Sequence, residues 1–233
     1  ADAIAVGYVF ETSMSDGNWI CFDDSLAPNG YSYLLVHEGR GTLASCMFRG
    51  FKRQVEYVER TVAMFRDRVG LEMRKPRPFG GFANFRLPRT GMQGGHLVIG
   101  EQAGFQDALA GFGLRYAFRS GILAARSLVE GVDYTRLWHK ELLPQLRASV
   151  SNRLLFNTVG DRGWRWMLDH RLSGGDTRFQ LRRLYQPSVL TRLLFPLARW
   201  RYRSVLCDRR CEHVNCSCVR CRRAAAMPSL QLP

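Results

Sequence analysis

The sequence predicts a mixed fold, α+β passing into α/β, and three observations predict it. Apolar stretches follow one another before residue 48 with no helical pattern between them. Helical periodicity takes over from Phe51. A short apolar segment at His96–Ile99 then runs into a glycine-rich loop and a second patterned helix. The expected architecture is an antiparallel sheet, a strand–loop–helix that helps to build a ligand-binding domain, and a helical, basic C-terminal region.

Taken in order, AIAVGYVFET and NWICF are strand candidates, and YSYLLVHEGRGTLASCMF is a hairpin turning at Glu38-Gly39-Arg40-Gly41. Strands without intervening helices imply antiparallel pairing. Phe51–Val69 is the clearest helix: Phe51, Val55, Val58, Val62, Phe65 and Val69 recur at spacings of four and three, and Gly70 ends it. RKPRPFGGF, rich in proline and glycine, is expected to be a loop. His96–Ile99 is expected to be a short buried strand ending near Glu101. In the helix Gly113–Glu130, Leu114, Ala117, Phe118, Ile122, Ala125, Leu128 and Val129 form the apolar face, Arg126 and Glu130 pair one turn apart, and Gly131 stops the helix. Asp133 caps a further helix from Tyr134 to about Asn157, kinked at Pro144.

With 233 residues, 46% hydrophobic and 23% charged, the chain can bury a sizeable core. No apolar run is long enough to cross a bilayer, and no basic region leads an apolar one, so a cytoplasmic protein is expected. The start at Ala1 without methionine suggests a piece of a longer chain. Asp176–Arg223 holds twelve arginines, three acids and no lysine, a balance of +9 in a chain of +14. That imbalance implies an anionic partner: lipid head groups, nucleic acid or a phosphorylated ligand. Cys21 and Cys46 lie in apolar stretches and read as buried thiols.

HLVIGEQAGFQDALAGFGLRYAFRSGILAARSL carries the chemistry. Glu101 stands where ligands bind in open α/β folds, and an ionised carboxylate accepts hydrogen bonds from sugar-like hydroxyls. Gly100 and Gly104 let the backbone approach a bulky ligand. Gly111-Phe112-Gly113 leads into a helix whose free N–H groups stabilise negative charge. A long ligand follows, hydroxylated near Glu101 and electron-accepting near Gly113 and Leu114. Flavin adenine dinucleotide (FAD) fits that description.

VIGEQAGFQDALAGFGLRYAFRSGILAA also resembles the second flavin-binding motif of the geranylgeranyl reductase-like flavoproteins, a family within the class that includes aromatic hydroxylases and flavin halogenases. The match falls on Gly100, Ala103, Gly104, Gly111, Gly113, Leu114, Ser120, Gly121, Ala124 and Ala125. The departures are Glu101, where aspartate is usual, and Ala108, where proline is usual. A looser resemblance spans about residues 1–185: NGYSYLLVHEGRGTLASCMF is similar to the family's substrate-domain hairpin, and GGFANFRLPR to the linker before the flavin strand.

The resemblance implies residues 1–85 as a partial substrate-binding sheet and helix, 86–132 as the strand–loop–helix completing a FAD-binding domain, 133–205 as a helical region and 206–233 as a basic, Cys-rich tail. It implies a FAD-dependent oxidoreductase with Gly100, Glu101, Ala103, Gly104, Gly111, Gly113 and Leu114 at the cofactor and NAD(P)H as an electron donor. Its substrate would be an apolar small molecule, a prenyl lipid or similar, whose double bond takes a hydride. Flavin monooxygenase chemistry is the alternative within the class. Family members open with a strand–GxGxxG–helix that holds the pyrophosphate, and GRGTLAS at Gly39 is not that unit. The implied partner is therefore a missing N-terminal dinucleotide-binding half, and this chain alone should retain FAD weakly or not at all. Catalytic residues are not identified; Trp19, Tyr31 and Tyr33 read as sheet packing before cavity lining, and His37, His96, His139 and His170 as surface or core residues.

Two C-terminal features remain open. In QPSVLTRLLFPLARWRYRSVL, Leu190, Leu193, Leu194 and Leu197 share one helical face and Arg192, Arg199 and Arg203 another, with Pro196 interrupting. Such a helix either lies on an anionic membrane, making the protein peripheral on the inner membrane face, or packs on its own domain. Cys207, Cys211, Cys216, Cys218 and Cys221 form either a zinc or iron–sulfur site or an unligated tail. A nucleic-acid-binding module built on this tail is a competing function class; it leaves Glu101 and the glycine loop unexplained, so nucleic acid is not the expected partner.

Overall fold

A computed structural model describes residues 3–202, apart from 84, 86, 89, 173–175, 177, 178, 180, 181, 183 and 184. The described residues form two compact units, divided between Ala83 and Asn84.

The first unit is a five-stranded antiparallel sheet with one helix on a face. Its strands are β1 (Ala3–Glu11), β2 (Gly17–Cys21), β3 (Tyr31–His37), β4 (Arg40–Met47) and β5 (Arg74–Ala83), in the order β2-β3-β4-β1-β5. The expected hairpin is present: His37 faces Arg40, and Glu38 and Gly39 both adopt positive φ, 48° and 74°. Two successive left-handed residues match the twist of the flanking strands. A 3₁₀ turn at Phe51–Arg53 opens helix α1 (Gln54–Val69). Gly70, at φ 66°, ends it by donating to Arg66, while Leu71 reaches back to Phe65. Val58, Val62 and Phe65 bury against Phe10, Leu34, Val36 and Leu43. Beside this core, Thr61 Oγ1 lies 2.8 Å from Ser45 Oγ and 3.1 Å from Ser32 Oγ, so the hydroxyls buried under the helix partner one another.

The segment expected as a proline–glycine loop is strand β5. It pairs with β1 along Ala3–Val9, with a register shift before Glu11. Pro76 and Pro78 are tolerated because β5 is an edge strand, where the N–H groups on one side have no ladder to join.

The second unit is mainly helical. A small hairpin, β6 (Met92–Gln93) with β7 (His96–Leu97), turns at Gly94 and Gly95, both of positive φ. After it come a 3₁₀ turn at Gly100–Ala103, α2 (Leu114–Glu130), α3 (Tyr134–Glu141), α4 (Leu143–Met167) and α5 (Val189–Arg201). Asp133 caps α3, accepting from Thr135 N at 3.0 Å and Arg136 N at 3.3 Å. The helix expected to continue through Pro144 breaks at Leu142, and α4 starts afresh with that proline in its first turn, where its missing N–H costs nothing. α4 then runs ten residues beyond the expected end at Asn157, with a break in its dihedrals at Gly160 (φ 58°, ψ −171°). Phe105, Tyr116, Leu123, Tyr134, Trp138, Leu142 and Leu146 form the core of this unit.

The largest correction concerns α2. Tyr116, Ser120, Leu123 and Ala124 are its buried residues. Most of the face read from the sequence as core points to solvent: Leu114 is 73% exposed, Phe118 67%, Ile122 55% and Val129 86%. The helix is apolar on two sides, and the second unit covers one of them.

Candidate functional site

The glycine segment wraps the first two turns of α2. Gly100 is buried at φ 58°, a conformation that favours glycine, and its N–H donates to Ser120 Oγ at 2.9 Å. A Cβ at Gly100 would lie 3.2 Å from the Ala117 methyl, so both φ and packing demand glycine. Ser120 Oγ donates in turn to Ala117 O at 3.1 Å, and Tyr134 Oη donates to Val98 O at 3.1 Å. Gly104, at φ 80°, closes the turn by donating to Glu101 O. Glu101 itself is exposed, and its carboxylate makes no hydrogen bond or ion pair among the described residues. Ala103 is half-buried against the core.

The strand expected before Glu101 is two residues long, antiparallel and not buried: His96 and Ile99 are exposed. Three apolar residues, Leu97, Val98 and Ile99, are too few to hold a sheet position, and among the described residues no parallel strand flanks them. Glu101 therefore sits on a 3₁₀ turn beside α2 rather than at a sheet mouth.

The second half of the loop is tied down from both sides. Asp107 N donates to Phe112 O at 3.2 Å, and Gly111 N to Asp107 O at 3.0 Å. Asp107 Oδ2 accepts from Ala110 N at 2.7 Å. Ala108 N donates to Ser149 Oγ at 3.1 Å, and the buried Arg153 donates from Nε to Ala108 O at 3.1 Å and from Nη2 to Leu109 O. The proline that the resemblance expects at 108 is thus replaced by an alanine whose N–H is held by α4. Gly113 precedes the first residue of α2, and Ala117 N donates to its carbonyl. The N–H groups of the first turn have no partner within the helix and form its positive end, next to the exposed Phe112 and Leu114.

Behind the loop, burial pushes the Asp107 carboxyl up, against the opposing pull of the Ala110 and Leu109 amides and the Arg115 and Arg153 guanidinium groups. Its Oδ1 and Gln106 Oε1 are buried without a hydrogen-bond partner among the described residues. The Arg115 guanidinium stacks 4.8 Å from the Tyr116 ring and 4.9 Å from the Tyr185 ring. Burial also raises the phenols of Tyr116, Tyr185 and, to about 12, Tyr134.

The arrangement offers a free carboxylate acceptor on a turn seated against α2, and the N-terminus of that helix. The sequence pattern does not single out Ser149 or Asp107; for Arg153 the signal is an arginine inside the apolar pattern of ASVSNRLLF. In the first unit, Tyr31 and Cys46 are buried, Trp19 and Tyr33 half-buried in the sheet, and burial raises the Cys46 thiol to about 12. Cys21 is half-buried rather than sealed. Cys207, Cys211, Cys216, Cys218 and Cys221 lie outside the described residues, as does Arg203; among the described residues no three potential metal ligands cluster.

The fold is a mixed α/β one, an antiparallel sheet with its helix and a predominantly helical unit carrying a glycine loop. No family model matches the chain, and no curated protein matches it. Among solved structures, it is similar to a geranylgeranyl bacteriochlorophyll reductase-like protein from Thermoplasma acidophilum, with a TM-score of 0.59 and 16% identity over 88% of this chain. The match takes in 55% of that protein, so this chain spans about half its length. At this identity the likeness is one of fold.

Proposed function

We propose that this chain is the C-terminal portion of a FAD-dependent oxidoreductase that reduces a double bond of a prenyl or other apolar substrate, with NAD(P)H as electron donor. The observation that carries the reading is the Gly100–Leu114 segment: a glycine turn pinned to Ser120, a free Glu101 carboxylate and the N-terminus of α2, set along one helix. Glu101 would accept hydrogen bonds from the ribityl hydroxyls. Gly104 would keep side-chain bulk away from the approach, while Gly100 seats the turn against Ala117 and Ala103 packs on the core beneath it. The amides after Gly111 and Gly113 would face the ring and hold negative charge there, and Leu114 would pack against it. Bound at this place, the flavin supplies the hydride. The fold shared with the T. acidophilum protein supports the same class.

The exposed stripe of α2 supports a second part of the proposal. Leu114, Phe118, Ile122 and Val129, with Ile99 beside Gly121, form apolar surface of the kind that marks an interface. We assign it to a dinucleotide-binding half carrying the pyrophosphate cradle. The test is reconstitution: mixed with a separately expressed half of that type, the chain should yield a yellow complex that reduces prenyl double bonds, whereas the chain alone retains FAD weakly. Tight stoichiometric flavin on the chain alone, or a reconstituted complex without flavin, contradicts the reading.

A further inference from the structure

α5 has two apolar faces. The inner one packs on α4: Thr191 and Ala198 are buried, Ser151 Oγ donates to Thr191 O at 2.7 Å, and Asn157 Nδ2 donates to Tyr202 Oη at 2.7 Å near the far end. A capping box between Ser188 and Thr191 fixes the start, and the helix continues through Pro196. The outer face is open: Val189 is 73% exposed, Leu190 57%, Leu193 73%, Leu197 53% and Trp200 63%. At helical spacing they fill a stripe roughly 100° wide. Arg192 and Arg199 border it on one side and Arg201 on the other, all exposed, and Val189–Arg201 holds no acid. On the Arg192 side, a cavity of about 250 Å³ opens between α4 and α5, lined by Pro144, Arg147, Pro187, Arg192 and Phe195. Neither Arg147 nor Arg192 makes an ion pair among the described residues; Arg147 lies 5.4 Å from the Phe195 ring centre.

The geometry points to α5 as a membrane-docking helix that lies in the surface of an anionic phospholipid bilayer, with its outer stripe among the acyl chains and a lipid phosphate taken between Arg147 and Arg192. An apolar stripe bordered by arginines is the form in which a helix gains both from burying apolar area and from anionic head groups. The helix is already ordered by α4, so docking requires no folding.

Vesicle co-sedimentation of the 233-residue chain tests it. The chain should sediment with equimolar phosphatidylcholine–phosphatidylglycerol vesicles and stay in solution with phosphatidylcholine alone. Leu193→Ser with Leu197→Ser should weaken binding on the order of 30-fold, and the single Leu193→Ser variant by a smaller factor. Arg147→Gln with Arg192→Gln should weaken it on the order of tenfold or more. Arg66→Gln with Arg68→Gln, an equal loss of charge on α1, should leave it within about twofold. Far-UV circular dichroism confirms that each variant is folded. Binding untouched by the leucine changes, or weakened equally by the two arginine pairs, overturns the proposal in favour of non-specific attraction by a basic chain. Leucine changes that convert a dimer to a monomer in light scattering, without altering sedimentation, assign the stripe to a second copy and overturn it as well.

Discussion

α1 and α2 carry comparable apolar stripes and place them oppositely. In α1, Val58, Val62 and Phe65 close over the sheet, and the helix is finished within its own unit. In α2, the stripe from Leu114 to Val129 is in water, while a second, less regular set of residues makes the core. Apolar periodicity therefore reports that a face is to be covered, without saying whether the cover lies in the same unit. A helix apolar on both sides is one built to be sandwiched.

Mutation separates the two stripes. The largest effect is expected at Phe65→Ala on α1, which should cost about 3–5 kcal/mol in denaturant unfolding. Next comes Thr61→Val, which removes the closest hydroxyl partner of Ser32 and Ser45 and leaves them only the 3.5 Å bonds to each other and to Tyr57 O; it should cost about 1–3 kcal/mol. A smaller, pH-resolved effect belongs to Asp107. Its carboxyl is raised chiefly by desolvation, so the folded chain holds that proton more tightly than the unfolded one. The stability it contributes is full below the ordinary aspartate value of about 3.9 and is lost as pH rises through the folded value. Asp107→Asn should flatten the fall in Tm across that window. The smallest effect on stability is expected at Phe118→Ala on α2, within about 0.5 kcal/mol, although it should weaken association with the dinucleotide-binding half about tenfold or more. A Phe118→Ala loss as large as that of Phe65→Ala would show that the two stripes do the same job.

Where local chemistry decides, the sequence was legible. Glu38-Gly39 specifies its turn by positive φ, Gly70 and Gly131 end their helices in the left-handed region, Asp133 caps α3, and Arg126 pairs with Glu130 at 3.2 Å. Where tertiary context decides, it was not. The prolines of β5 read as a loop because an edge position cannot be seen locally. His96–Ile99 read as a buried strand because an apolar run does not reveal whether neighbours exist to bury it. In the candidate site, the glycines and Glu101 were readable as a motif, while the clamp on Ala108 comes from Ser149 and Arg153, more than forty residues away. Leu190, Leu193 and Leu197 were read onto one face of α5, but only the structure separates them from the half-buried Leu194 and adds Trp200.

On the proposed reading, the backbone from Gly100 to Leu114 and the first turn of α2 hold the flavin. Amide hydrogen exchange of the reconstituted complex, measured with and without FAD, probes those amides one by one. FAD should slow exchange at Gly100–Gly104 and at Gly111–Tyr116, and Glu101→Leu should weaken FAD binding about tenfold. Protection confined to the partner half, with these amides exchanging as before, would contradict the account.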